Sequence, residues 1–157
     1  MTEPNGEDLA EMLNGAAIDG WARANGLRFL RASREEVVAE LTIGPQHRQP
    51  YGIVHGGVHA GIIETLASVG AAIHAMPQGK NVVGMENHTS FLRAVRAGKL
   101  TATGKPVFPG KRSHIWEVTV HDETGRAAAT GRVRLLLLDP DDQVGGERVT
   151  MGGPDQA

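Results

Sequence analysis

The chain predicts an α+β domain in which one long helix is wrapped by consecutive antiparallel strands. Two observations carry this. Residues Val58 to Ala75 keep helical periodicity with Glu64 as their only formal charge. From Val82 onward the pattern changes to strand-length segments separated by short turns. One helix of this length exposes too much apolar surface to stand alone, so a strongly curved sheet is expected to cover it and leave the Glu64 side at the sheet margin or against a partner.

The elements follow in order. Residues 1–26 read as an N-terminal segment in which Asp8 to Ala22 forms a short amphipathic helix through Leu9, Met12, Leu13, Ala16 and Ile18. The main domain is placed at 27–139. It opens with two alternating strands, Leu27–Arg31 and Val37–Ile43, turned by Ser33-Arg34-Glu35-Glu36. Gly44 to Val54, with Pro45 and Pro50, is a loop that delivers the chain to the helix. After Pro77-Gln78-Gly79 come strands at Val82–Leu92, Lys99–Phe108, Ser113–His121 and Arg126–Leu138. Ala97-Gly98, Pro109-Gly110 and Asp122-Glu123-Thr124-Gly125 supply the turn chemistry between them. Residues 1–6 and the tail 140–157 are rich in Gly, Pro and Asp and are expected to be mobile ends.

Composition narrows the function classes. The 157 residues fit one domain able to bury about two-thirds of its unfolded surface. A formal net charge of −2 gives no basic footprint, so nucleic acid is not an expected partner. Absence of cysteine excludes disulfides and thiolate metal sites. Met1 to Asn14 is acidic without an apolar core, unlike a secretory signal. No uninterrupted run approaches the roughly 20 apolar residues of a membrane span. A cytoplasmic protein is expected.

At about 100° per residue, Val58, Ile62, Leu66, Val69 and Ile73 form a stripe about 80° wide, read as the buried face. Glu64 and Ser68 lie opposite, among Gly57, Ala60, Gly61, Ala67, Ala71 and Ala75. A solvated face would carry Lys, Gln and more Glu; this one reads as a contact face holding a single carboxylate. In a low-dielectric setting such a carboxylate titrates closer to neutrality and is suited to act as base or nucleophile. Ser68, one turn on, is placed to orient it or a water.

Val54-His55-Gly56-Gly57 lies where loop becomes helix. The first helical N–H groups lack intrahelical partners and carry partial positive charge, so this end suits a polarised carbonyl or an anion. A flexible Gly-Gly junction is the equal alternative. In Asn87-His88-Thr89-Ser90, alternation sends Asn87, Thr89 and Phe91 to one face and His88 and Ser90 to the other; lining a pocket and facing solvent are both open. Arg93, Lys111 and Arg112 flank turns, where ordinary solvated charge is the default reading and phosphate contact the functional one. His55, His59, His74, His88, His114 and His121 share no ligand spacing, so no metal is expected. Neither a phosphate-cradling glycine loop nor a Gly-x-Ser-x-Gly elbow occurs.

Taken together, Gln49-Pro50-Tyr51-Gly52-Ile53-Val54-His55-Gly56-Gly57, Glu64 with Ser68, Val83 to Arg93, and Trp116 to Arg126 resemble the hotdog-fold acyl-CoA thioesterases. The similarity is to the branch containing the phenylacetate-degradation and hydroxybenzoyl-CoA thioesterases, and it runs from about Leu27 to Leu138. The resemblance implies a long helix wrapped by a curved sheet, homodimers with a continuous sheet and shared active sites, commonly paired into tetramers, and no cofactor. It implies an acyl-CoA substrate, with an aromatic acyl group first and a short or medium aliphatic one second. By matching position, Glu64 is the catalytic carboxylate and Gly56 the backbone N–H on the thioester carbonyl. Gln49 stands near that carbonyl, His55 is the histidine of the motif and Ser68 the water-positioning hydroxyl. Glu64 would face Gly56 and Gln49 of the partner chain. Asn87, His88 and Thr89 fall on the substrate strand, and Arg93, Lys111 and Arg112 on the coenzyme side. The chain departs from the hydroxybenzoyl-CoA type at Lys111 and Arg112, where that type has hydroxyl residues, and at Asp139, Asp141 and Asp142, where that type has a basic tail. The rival expectations are a hotdog that binds acyl-CoA without turnover and a hotdog hydratase, whose His-acid motif does not occur here.

Overall fold

A computed structural model describes residues 7–16 and 19–149. The elements are α1 (Ala10–Gly15), α2 (Trp21–Ala24), β1 (Arg28–Ala32), β2 (Val37–Thr42), α3 (Gly56–Ala75), β3 (Asn81–Phe91), β4 (Lys99–Pro109), β5 (Ser113–His121), β6 (Ala127–Leu138), and a short hairpin of β7 (Gln143–Val144) and β8 (Glu147–Arg148). The first six strands form one antiparallel sheet in the order β1-β2-β4-β5-β6-β3, and α3 packs on its inner face. This is the expected helix wrapped by a curved antiparallel sheet. Strand limits match the sequence reading to within one residue because each turn carries its own chemistry. The last turn shows how: Asp122 Oδ1 accepts from the Thr124 and Arg126 amides and the Thr124 hydroxyl, and Arg126 pairs with Oδ2. These donors hold the Asp122 carboxyl well below the usual carboxylate range.

The N-terminus differs from expectation. In place of one helix over Asp8–Ala22 there are two short ones, with Gly15 closing the first and Gly20 preceding the second. Ala17 and Ile18, part of the expected helix, lie outside the described residues. Within 140–157, read as a tail, the β7–β8 hairpin forms.

α3 starts where His55, in extended backbone, caps it: His55 Nδ1 accepts from the Gly57 N–H at 2.8 Å. It gives way to a 3₁₀ turn, Met76–Gln78, containing Pro77, and Gly79 at φ +66° reverses the chain. By length and composition Gly56–Gln78 would suffice to cross a bilayer, more than the search for an uninterrupted run suggested. The helix is instead the core of this domain, half of that window being buried within the chain.

Its buried face is wider than the predicted stripe and rotated from it. Val58, Ile62 and Leu66 are buried as expected, but Val69 and Ile73 are only partly so, while Ala67, Ala71 and Ala75 are fully covered. Gly61, one of the small residues around Glu64, and Gly70, on another side of the helix, are seats for tryptophans of the same chain. A Cβ on Gly70 would lie 2.2 Å from Trp116 Cη2, and one on Gly61 would lie 2.4 Å from Trp21 Cζ2. The small-residue face is therefore, in large part, an intrachain packing surface.

The two sheet edges are treated differently. Along β1, the Leu9 N–H donates to the Ala32 carbonyl (2.9 Å), Asp8 Oδ1 accepts from the Ala32 N–H (2.9 Å), and the Asn14 amide bonds both backbone groups of Phe29. That edge is sealed. β3, eleven residues long, pairs only with β6, and its outer edge is unpaired among the described residues.

Two predictions follow from the core. Gly70→Ala drives a methyl into the Trp116 ring, and overpacking of this kind is worth about 1–3 kcal/mol, read as a lower urea midpoint. His59 and His114 both titrate below the ordinary histidine range, chiefly through burial, with repulsion from His74 added at His114. The unfolded chain then binds protons that the folded one refuses, so stability holds above about pH 6.5 and falls as pH drops below it, by at most about 1.4 kcal/mol per pH unit per histidine. Urea midpoints between pH 7.5 and 5.5 check this, and His114→Leu flattens the slope.

Candidate active site

Glu64 lies on the side of α3 next to β3, half-buried between helix and strand. Its Oε2 accepts from Asn87 Nδ2 at 2.9 Å, and the same amide donates to the Ala60 carbonyl at 3.1 Å. The Thr89 hydroxyl donates to Asn87 Oδ1 at 2.7 Å, fixing which way the amide points. The Ser68 hydroxyl stands 3.5 Å from Oε1, at the outer limit of a hydrogen bond. The result is a directed chain, Thr89 to Asn87 to Glu64, that presents an oriented carboxylate with one oxygen largely unengaged.

A bulge in β3 makes this geometry. The register against β6 shifts between Gly84 and Glu86. Without it, positions 84 and 87 would fall on opposite faces; the extra residue, Met85, brings both to the helix side. A Cβ on Gly84 would lie 2.2 Å from Glu64 Oε1, so glycine is what admits the carboxylate against the strand backbone. Alternation correctly separated Asn87 and Thr89 from His88, which lies exposed on the outer face opposite Arg132.

The other candidate group gathers at the start of α3. The Gly56 N–H is the first of the helix and has no intrahelical acceptor. The Phe91 ring covers it so closely that a Cβ on Gly56 would lie 2.8 Å from Cζ. Gln49 Oε1 accepts from the Tyr51 N–H, and its amide N–H groups have no acceptor among the described residues. The Gln49–Tyr51 turn is clamped by Arg96, which donates to the Tyr51 carbonyl at 2.8 Å, while Arg48 donates to the Arg96 carbonyl at 3.0 Å. His47, fully buried, locks the loop: Nδ1 accepts from the Gly44 N–H and Nε2 donates to the Asn25 carbonyl.

Gly56 and Glu64 are eight residues apart on one helix, about 12 Å along its axis. One carbonyl group cannot touch both within a single chain. Of the residues singled out from sequence, the fold thus unites Glu64, Ser68, Asn87 and Thr89, and separately His55, Gly56 and Gln49. Arg93 follows Phe91 and is exposed; Lys111 and Arg112 are exposed in the β4–β5 turn. None of these three forms an ion pair among the described residues.

Sequence reasoning missed Gly84, Phe91 and Trp21 as parts of the site. Gly84 was legible only as a glycine inside a strand, a signal for a bulge or close approach. Trp21 helps line a cavity of about 850 Å³ that also reaches Glu64 and Ser68.

Comparison with known proteins places this arrangement. Residues 51–129 match the model of the thioesterase superfamily. The protein Rv1847 of Mycobacterium tuberculosis is 37% identical over 116 residues, covering 73% of this chain and 83% of its own. The proofreading thioesterase EntH of Cronobacter sakazakii is 31% identical over 128 residues, covering 82% and 93%. The crystal structure of S. sahachiroi AziG superimposes with a TM-score of 0.74 at 35% identity, over 78% of this chain and 98% of that one. With its helix wrapped by a six-stranded antiparallel sheet, the chain belongs to the hotdog-fold thioesterase superfamily and is a thioester hydrolase.

Proposed function

We propose that this enzyme hydrolyses acyl-CoA thioesters to the free acid and CoA, with Glu64 as base or nucleophile. The observation that carries the reading is the Thr89–Asn87–Glu64 chain, which aims a carboxylate at a cavity of substrate size. As a base, Glu64 takes a proton from water as the oxygen adds to the acyl carbon; the C–S bond then breaks and the thiolate receives the proton. As a nucleophile, its oxygen adds to the acyl carbon and the C–S bond breaks with release of the CoA thiolate; water then cleaves the resulting anhydride, freeing the acid and the Glu64 carboxylate, and its proton neutralises the thiolate. Ser68 is placed to hold the water in either route. Relatives named as thioesterases support hydrolysis as the reaction.

The Gly56 N–H, at the positive end of α3, suits the oxygen of the thioester carbonyl, where charge develops. Gln49 adds a side-chain donor beside it, and His55 holds the turn by capping Gly57. Because about 12 Å separates Gly56 from Glu64 along the helix, the Gly56, Gln49 and His55 half is supplied by a second copy. The open β3 edge supports this pairing. It is long, free of Pro and Lys, and flanked by exposed Met85, Phe91 and Leu92. A two-fold dimer with a continuous sheet joins the two halves twice, and a tetramer made of two such dimers is the proposed assembly. Arg93, Lys111 and Arg112, free of ion pairs among the described residues, are proposed for the CoA phosphates, and Asn87 and Thr89 for the reacting end of the substrate; His88, on the outer face, could meet substrate only across the paired sheet. An aromatic acyl group, hydroxybenzoyl- or phenylacetyl-like, is the first substrate to test, and short or medium aliphatic acyl groups the second.

Glu64→Gln is expected to lower kcat by about 10²–10⁴, the range for loss of a general base, measured as free-thiol release from an acyl-CoA panel. Unchanged turnover would remove Glu64 from the mechanism; binding without turnover in the wild type would make the protein an acyl-CoA binder. Asn87→Ala removes a donor to a charged acceptor and is expected to reduce kcat about 10- to 100-fold with a smaller change in KM. Gly56→Pro deletes the N–H at a position where the extended His55 backbone suits proline, and it is compared with Gly56→Ala, which keeps the N–H and brings the same Cβ against Phe91. Gly56→Pro is expected to lose about 10²–10³ in kcat. Co-expressed with Glu64→Gln, it should recover about a quarter of wild-type activity, since each mixed dimer contains one intact site. No recovery would show that each site is built within one chain.

A further inference from the structure

We infer that Trp21 is the wall of the acyl pocket and restricts the site to uncharged, apolar acyl groups; this rests on Glu64 being the catalytic carboxylate. The indole lies against Gly61, where a Cβ would meet Cζ2 at 2.4 Å and Cε2 at 2.7 Å, so only glycine leaves room for it. Gly61 and Glu64 are three residues apart and neighbours on the helix surface. With one part of the ring seated on the helix, Trp21 remains 38% exposed. The cavity of about 850 Å³ runs between this indole, with Leu13, Phe29 and Val69, and the pair Glu64 and Ser68. Wall and carboxylate therefore share one space, of the size that encloses small ligands.

The wall is fixed from both sides. Before it, Asp8 and Asn14 bind the segment to the β1 edge; after it, the Asn25 carbonyl accepts from buried His47. Away from Glu64 and Ser68, the amide and hydroxyl groups of the wall are engaged. Both ends of the Asn14 amide go to the Phe29 backbone, and the Thr65 hydroxyl donates to the Gly61 carbonyl at 2.7 Å. Arg28 is paired with Glu40 at 3.1 Å, and Arg23 lies 3.8 Å from Asp19. Among the described residues the cations lining the cavity, Arg23 and Arg28, each lie beside a carboxylate, so an acyl group carrying its own carboxylate meets no unpaired cation, and burying it unpaired is strongly unfavourable. A phenyl ring or a hydrocarbon chain meets the apolar part of the lining, Leu13, Trp21, Phe29 and Val69.

The chain has two tryptophans, and Trp116 is fully buried, so a ligand-induced change in emission reports Trp21. The test titrates the wild type with non-hydrolysable thioether analogues of hexanoyl-, benzoyl- and succinyl-CoA while following fluorescence. It also compares kcat/KM for hexanoyl-, dodecanoyl- and succinyl-CoA in Trp21→Ala and Gly61→Ala. The hexanoyl and benzoyl analogues are expected to change the emission, with the succinyl analogue at least about tenfold weaker. Trp21→Ala should move the dodecanoyl-to-hexanoyl ratio of kcat/KM up by about tenfold or more. Gly61→Ala, which pushes the indole into the cavity, should move it down. Where Gly61→Ala does not fold, the Trp21→Ala ratio decides. Hydrolysis with silent fluorescence, or a ratio that stays fixed while overall activity falls, overturns the role of Trp21 and leaves that of Glu64 standing. Loss of both binding and turnover across the panel in the wild type overturns both.

Discussion

α3 is a twenty-residue helix with one carboxylate and no other formal charge on its circumference, and it must be covered on nearly every side. Burial of apolar area is the dominant favourable term in folding, so this requirement organises the rest of the chain. The six-stranded sheet curves around one side, with Trp116 seated on Gly70. The N-terminal segment closes part of another, with Trp21 seated on Gly61. The strip left beside β3 is where Glu64 stands.

The same strip is next to the edge of the six-stranded sheet that is unpaired among the described residues. Side chains and backbone of the N-terminal segment satisfy the β1 edge, whereas β3 presents unpaired backbone along its outer side. The bulge at Met85 ties that edge to the chemistry, because it turns both Gly84 and Asn87 toward Glu64. Half of the proposed site thus sits at an edge suited to a second copy, and the other half lies at the helix start, about two turns away. In the proposed dimer, substrate binding and assembly are one problem, because pairing at β3 would supply the missing N–H donors.

Much of the fold was legible because its signals are local. Turn residues such as those from Asp122 to Gly125 bound the strands, and the change from helical to alternating pattern after Pro77 marks the change of element. The N-terminal helix was less legible, since apolar spacing suggested continuity that Gly15 and Gly20 interrupt. In the site, Glu64 stood out as the lone charge on an apolar helix, and Asn87 with Thr89 as polar residues on one strand face. Their convergence was not readable, because Gly84 and Asn87, three positions apart, share one face only through a bulge. Trp21 gave no signal, since an aromatic residue near a terminus is as readily a core residue as a pocket wall.

The sequence by itself determined the helix, the order of strands after it, and the isolation of Glu64 among small residues. Each depends on spacing within one segment. Tertiary structure decided what those small residues are for: Gly61 and Gly70 receive rings from forty and forty-six positions away, and Ala67, Ala71 and Ala75 turn inward rather than toward a partner. That Glu64 and Gly56 lie too far apart to act on one carbonyl from the same chain follows from their eight-residue spacing on one helix, in keeping with what the resemblance implied. Periodicity sets the angle of a side chain about its own axis; it does not say which distant element fills the space opposite.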